Sequence, residues 1–120
     1  MKKSKMIKAL LIEPKQSPRV IEIEATLESY QKQVGGLIEI LHLDDDAVLV
    51  VNEEGKLLGL APNRHYFGDV LVGNILILGS RGENLVGLSD AHIEKYAAQF
   101  ADPEKIDLDE VEMFIEAWFY

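Results

Sequence analysis

The sequence predicts an α+β fold: a single domain with a mostly antiparallel sheet and two or three helices. Three observations lead there. A chain of 120 residues, 48% apolar and 28% charged, suffices for one hydrophobic core and has the balance of a globular protein. Short β-type segments, some alternating and some apolar on both faces, succeed one another with only turn residues between several of them. Three stretches show helical spacing behind a Thr, Ser or Asp cap.

Residues 1–5 form a basic lead expected to fray. Met6 to Glu13 reads as a strand with apolar residues on both faces, the pattern of a sheet interior. Pro14 to Pro18 turns the chain, its two prolines withholding backbone donors. Arg19 to Ala25 alternates, with Ile21 and Ile23 inward and Val20, Glu22 and Glu24 outward, a half-exposed strand antiparallel to the first. Thr26 caps a short helix with Leu27, Tyr30 and Val34 on its inner face, and Gly35-Gly36 stops it. Leu37 to Leu43 resumes as a strand, and Asp44-Asp45-Asp46 turns.

Ala47 to Gly79 is the organising stretch. Ala47–Val51 and Lys56–Leu60 are expected to pair as a hairpin across Asn52-Glu53-Glu54-Gly55, with Gly55 taking a positive φ. Pro62 should end the second strand, and residues 63–69 should form a loop leading into Val70–Gly79. Within that run, Ile75 to Leu78 is apolar on both faces and reads as a central strand. Residues 79–82 turn, and Asn84 to Leu88 returns as a short strand. Ser89 caps a helix to about Phe100, with Ile93, Tyr96, Ala97 and Phe100 inward, and Asp102-Pro103 breaks it. Asp107 with Glu110 forms a capping-box-like start to a last, acidic helix. Its apolar side is drawn from Leu108, Val111, Ile115, Trp118 and Phe119.

Composition excludes several classes. The chain has no cysteine, so disulfides and thiolate metal sites are ruled out, which suits a reducing compartment. The basic start is not followed by a leader-type apolar run, and no run approaches the ~20 apolar residues that cross a bilayer. Residues 1–20 hold six Lys/Arg and one Glu, whereas residues 101–120 hold seven Asp/Glu against Lys105, within a total of −9. Such a balance repels nucleic acid, the basic N-terminus excepted, and favours a partner with a basic surface.

Few residues carry chemistry. Asn63, Arg64, His65 and Tyr66 bring an amide, a fixed cation, a titratable base and a phenol together, so this loop could grip an anion while His65 moves a proton. Its bland counterpart has Asn63 in a turn, Arg64 paired with an acidic residue and Tyr66 or Phe67 plugging the core. Asp44-Asp45-Asp46 lacks calcium-loop register and reads as a solvated turn. Glu22 and Glu24 read as exposed carboxylates. His42, His65 and His92 lack metal-ligand spacing, so neither a metal nor another cofactor is expected. Ser89-Asp90-Ala91-His92 holds triad residue types, but such close sequence neighbours cannot converge, and Ser89 serves as a cap. Gly79 to Gly82 lacks the spacing and lysine of a phosphate loop.

The terminal helix is the candidate contact surface. Asp107, Asp109, Glu110, Glu112 and Glu116 surround an apolar stripe that ends in Trp118-Phe119-Tyr120. Acidic charge beside aromatics, Trp118 and Tyr120 in particular, suits docking to a basic, partly apolar protein surface. Otherwise the aromatics complete the domain's own core or bury across the twofold axis of a homodimer.

Four short motifs carry a family likeness: Asn52-Glu53-Glu54-Gly55, Ala61-Pro62-Asn63-Arg64, Val72-Gly73 and Gly87-Leu88-Ser89-Asp90. Their order resembles a domain-of-unknown-function family, number three-eight-four-six, common in phage and plasmid genomes. The resemblance covers roughly residues 6–100 and leaves the acidic segment 101–120 outside. It implies a mobile-element setting and the cytoplasm of a bacterial host, with no activity attached. By analogy with small acidic proteins of that setting, it points to a non-enzymatic protein-binding module, an inhibitor of the anti-CRISPR or anti-restriction type. The alternatives are a ligand-binding or enzymatic domain using the Asn63-Arg64-His65 loop, and a dimeric structural domain.

Overall fold

A computed structural model describes residues 5–111; residues 1–4 and 112–120, and with them the expected fraying of the lead, lie outside it. Eight strands and two helices follow in the order β1 (Met6–Ile12), β2 (Arg19–Glu24), α1 (Leu27–Val34), β3 (Ile38–Asp44), β4 (Ala47–Asn52), β5 (Pro62–Tyr66), β6 (Asp69–Val72), β7 (Ile75–Arg81), β8 (Asn84–Val86) and α2 (Asp90–Gln99). The chain turns helical again at residues 108–111. The main sheet has the order β2-β1-β7-β4-β3, with β8 added to β7 beside the end of β1, and every pairing is antiparallel. The α+β expectation therefore holds.

Ile75 to Leu78 is the centre of this sheet, each residue fully buried. Alternation along β7 sorts its side chains between two cores. Leu76 and Leu78 pack with Ile7, Leu11, Tyr30 and Val34 under α1. Ile75 and Ile77 pack with Leu10, Leu49, Tyr96 and Phe100 under α2. Thr26 accepts from the Ser29 N–H and Gly35 closes α1 in the left-handed region, both as expected. Leu27 departs from expectation: it is 56% exposed, and only Tyr30 and Val34 anchor α1.

The organising stretch folds differently from its expected hairpin. Residues 53–59 form successive turns rather than a strand. The Leu58 N–H donates to Glu54, Gly59 to Lys56 and Leu60 to Gly55. The last two bonds, with Gly59 at φ +71°, make a one-turn helix closed by a Schellman cap. Leu57 and Leu58 gain nothing from the core in this shape and stand 67% and 59% exposed. The true partners of β4 are β3 and β7.

Residues 63–69 are likewise no loop. Pro62–Tyr66 pairs with Asp69–Val72 in a two-stranded ribbon of its own. Phe67 (φ 47°) and Gly68 (φ 77°) join the strands in a type I′ turn, an uncommon place for a phenylalanine. The apolar run from Val70 to Gly79 is broken at Gly73, which separates β6 from β7. There the Gly73 N–H donates to Ala61 at 2.7 Å, with φ at +73°. The ribbon and α2 cover the same sheet face, since Leu71 joins the α2-side core.

A Cβ at Gly73 would lie 2.7 Å from Leu60 Cδ1, whereas one at Gly68 would meet nothing within 4 Å. Both positions have positive φ. Chemical denaturation should show Gly68→Ala costing about 1 kcal/mol for backbone strain alone, and Gly73→Ala clearly more.

Candidate functional site

The residue pair singled out by sequence holds the most buried polar side chains among the described residues. Asn63 is 0% and Arg64 1% exposed. Consecutive inward residues break strand alternation, and a register shift between Pro62 and Arg64 makes this possible. Asn63 Nδ2 donates to the Ile12 carbonyl at 2.8 Å and the Gly73 carbonyl at 2.7 Å. Its Oδ1 accepts from Arg64 Nη1 at 2.8 Å. Arg64 Nη2 donates to the carbonyls of Gln16 (2.8 Å) and Phe100 (3.0 Å), the latter the α2 C-cap, where the helix dipole favours a cation.

Arg64 therefore binds backbone carbonyls, not the acidic partner expected for it. Burial pulls its pKa below the ordinary value, opposed by the nearby carboxylates of Glu104 and Asp102. Among the described residues its Nε–H meets no acceptor. With their other donors committed and no solvent access, Asn63 and Arg64 are not placed to hold an anion. They join the end of β1, the turn after it, the start of β7 and the end of α2.

His65 faces outward and is held from both sides. Its Nδ1 lies 2.7 Å from Glu104 Oε1 and its Nε2 2.8 Å from Glu110 Oε2. The Glu104 carboxylate also accepts the His65 backbone N–H at 3.3 Å. Bonds from Glu104, and then from Glu110, raise the pKa of the imidazole. Because the carboxylates sit on opposite ring nitrogens, no single point faces all three groups, which argues against a metal cradle. The arrangement is a clamp pinning residues 104–110 to β5. Tyr66 donates its hydroxyl to the His42 carbonyl at 2.7 Å, tying the ribbon to β3, while Phe67 stands 87% exposed instead of plugging the core.

Two features of the expected terminal contact surface change. Glu110 spends its carboxylate on His65 rather than reaching back to cap the helix, and Leu108 is 66% exposed. Val111 packs against Val70 and Val72, with Leu60 and Ile106 beside them. Asp107 and Asp109 are exposed. Glu112, Glu116, Trp118 and Tyr120 lie outside the described residues.

The other candidates resolve into structural roles. Ser89 caps α2, its Oγ accepting from the His92 N–H at 3.1 Å. Asp44 is not simply a solvated turn residue: its Oδ2 accepts from the Tyr96 hydroxyl (2.6 Å) and from Lys95 (3.0 Å), fastening β3 to α2. Those bonds hold its carboxyl well below the usual carboxylate range. Among the described residues, no cluster of His, Asp or Glu is disposed to hold a metal. No helix among them is long and apolar enough to cross a membrane.

Residues 7–101 match the model of the Domain of unknown function (DUF3846) family. The chain belongs to the DUF3846 family. No curated protein and no solved structure matches it. The match contains the Asn63-Arg64 knot and its four carbonyl partners, so the DUF3846 region holds the network that assembles the fold, while Glu104 and Glu110 of the His65 clamp lie beyond it.

The DUF3846 domain also carries a cleft that the sequence did not announce. About 340 Å³ in volume, it lies between the β3–β4 side of the sheet, the 53–57 turn and β6. Leu41, Val51, Leu57 and Leu71 supply apolar walls, and Glu39, Glu53 and Asp69 supply carboxylates. Lys56 bonds Asp69 at 2.5 Å at its margin. The one signal in the sequence is Leu57-Leu58, an apolar pair beside glycines that the expected hairpin would bury.

Asn63→Ala should cost about 2–3 kcal/mol in chemical denaturation, because two buried carbonyls lose their donor. Arg64→Lys should fare little better than Arg64→Met, since one ammonium cannot reproduce a planar fork. The His65 clamp has the opposite pH sense to a carboxylate salt bridge. With the folded pKa raised, its stabilisation is fully present below the ordinary histidine pKa of ~6.5 and fades as pH rises through the folded value. The stability gap between wild type and His65→Gln should shrink from pH 6 to pH 9, and stay under about 1 kcal/mol because the groups are half exposed.

Proposed function

We propose that this DUF3846 domain is a non-enzymatic protein-binding module that docks a basic, partly apolar surface of another protein. The observation that carries this reading is the fate of its one chemistry-bearing cluster. Asn63 and Arg64 are buried and bonded to backbone carbonyls, and His65 is held between two carboxylates. A positioned acid, base or nucleophile facing a substrate would need groups free to change partners during reaction.

Charge supports the choice of partner. The chain carries −9, and exposed carboxylates continue along the terminal segment at Asp107 and Asp109. Glu112, Glu116, Trp118 and Tyr120 would extend that surface. The wider reading, resting on the mobile-element setting of the resemblance, is a phage- or plasmid-borne inhibitor that meets a host defence protein in the bacterial cytoplasm.

Affinity capture from a bacterial lysate tests the reading. A protein should be retained at about 50 mM salt and released by about 0.5 M, where screening shrinks to a few ångströms. Asp107→Asn with Asp109→Asn, which keep a capping side chain and remove two charges, should weaken retention about fivefold with little change in melting temperature. Removing residues 105–120 is a poorer probe, because Ile106 and Val111 pack on the ribbon. Capture of nucleic acid alone, or of nothing, sinks the proposal.

A further inference from the structure

The two edges of the main sheet are unlike. β2 closes one side with Arg19, Glu22 and Glu24, charges of the kind that discourage strand pairing. β3 closes the other with the run Ile38-Glu39-Ile40-Leu41, in which Ile40 is 49% exposed. Its register shift, a feature that also blunts edges, falls only beyond His42.

Hydrogen-bond phase shows which backbone groups this edge presents. The Glu53 N–H donates to the Leu37 carbonyl, so residues 37, 39 and 41 are the ones bonded to β4. Ile38, Ile40 and His42 then turn their N–H and C=O away from β4. Two further bonds agree. The Ser80 N–H donates to Asp46, which sets Val48 and Val50 to bond β7 rather than β3. The Tyr66 hydroxyl reaches the His42 carbonyl, which lies on the outward side. Tyr66 thus closes the edge at His42, and the window at Ile38 and Ile40 faces no other strand among the described residues.

The cleft opens beside this window. Glu39 and Leu41, on the α2 side of the sheet, line it together with Val51 and Leu71. A chain laid along β3 would send alternate side chains toward that face. Its wall offers three carboxylates, Glu39, Glu53 and Asp69, against Lys56.

We infer that the β3 edge and the adjoining cleft form a docking groove for an extended segment of a protein partner. That segment pairs with the backbone of Ile38 and Ile40, seats an aliphatic side chain in the cleft, and carries lysine or arginine beside it. This rests on the protein-binding reading above and names the place and the chemistry of contact. Charge complementarity selects the occupant. Residues 112–120 are apolar enough to fill a cleft but bring two glutamates and no basic residue to a wall that is already acidic.

The test uses the full chain, labelled with ¹⁵N, and a synthetic peptide of sequence Lys-Thr-Leu-Thr-Arg-Thr-Lys, whose leucine and basic residues share one face of a strand. The peptide should shift the amides of Ile38, Ile40, Leu41, Val51 and Leu71 saturably. Methylating alternate peptide nitrogens should weaken it at least about tenfold, as should replacing its basic residues with glutamate. Ile40→Pro should abolish binding while leaving the β3–β4 ladder intact, because the N–H it deletes faces outward. Should Ile40→Pro unfold the chain, Glu39→Lys with Glu53→Lys must still weaken the peptide to a similar degree. The groove is overturned if the shifts map elsewhere or if methylation has no effect. Equally, amides of Ile38 and Ile40 already protected from exchange in the free protein would mean that its own chain, or a second copy, covers the edge. Any of these outcomes leaves lysate capture and the Asp107/Asp109 variants to judge the protein-binding reading separately.

Discussion

A guanidinium with no solvent access is the constraint on which this domain is built. Burying a cation is unfavourable unless its donors are met, and Arg64 satisfies both Nη groups, Nη1 on Asn63 and Nη2 on the distant carbonyls of Gln16 and Phe100. Asn63 completes the arrangement by joining the end of β1 to the turn that starts β7. The sheet would pair without these two residues, but nothing in its ladders holds the β5–β6 ribbon against the end of α2. Arg64 does so by using the α2 C-cap carbonyl, an acceptor that a helix terminus leaves unpaired.

Once the ribbon is docked, the rest of that layer follows from short polar contacts at its margins. Tyr66 reaches β3, Asp44 on β3 reaches Tyr96 and Lys95 on α2, and His65 gathers Glu104 and Glu110. These tie the second layer to the sheet along its rim while the apolar cluster around Leu71, Tyr96 and Phe100 fills the middle. Among the described residues, the layer stops short of the outer half of β3. The cleft and the open backbone at Ile38 and Ile40 are both consequences of that shortfall. They lie on the side of the domain farthest in sheet order from the charged edge at β2.

Local signals carried most of the main sheet. The doubly apolar run at Ile75 to Leu78, the alternation from Arg19 to Glu24, the Thr26 and Ser89 caps and the glycine stop after Val34 each act within a few residues. The failures share a cause. Lys56 to Leu60 has the apolar content of a strand, but β4 already has β3 and β7 on its two sides, so no edge remains for it. Asn63 to Tyr66 looks like a polar loop because its two inward residues are polar, and only distant carbonyls make burying them tolerable. The cleft was illegible for a related reason: its walls come from β3, β4, the 53–57 turn and β6, and an unfilled volume leaves no mark on any one of them.

By itself, then, the sequence determined the α+β class, the order of most strands and helices, the acidic charge and the absence of cysteine chemistry, since these depend on composition and short-range periodicity. It also marked Asn63-Arg64 as unusual. Tertiary structure alone decided what that pair does, because a side chain's role depends on which acceptors stand within 3 Å of it. Folding brings Ile12, Gln16, Gly73 and Phe100 to Asn63 and Arg64, and so turns a candidate anion grip into the fastening of the fold.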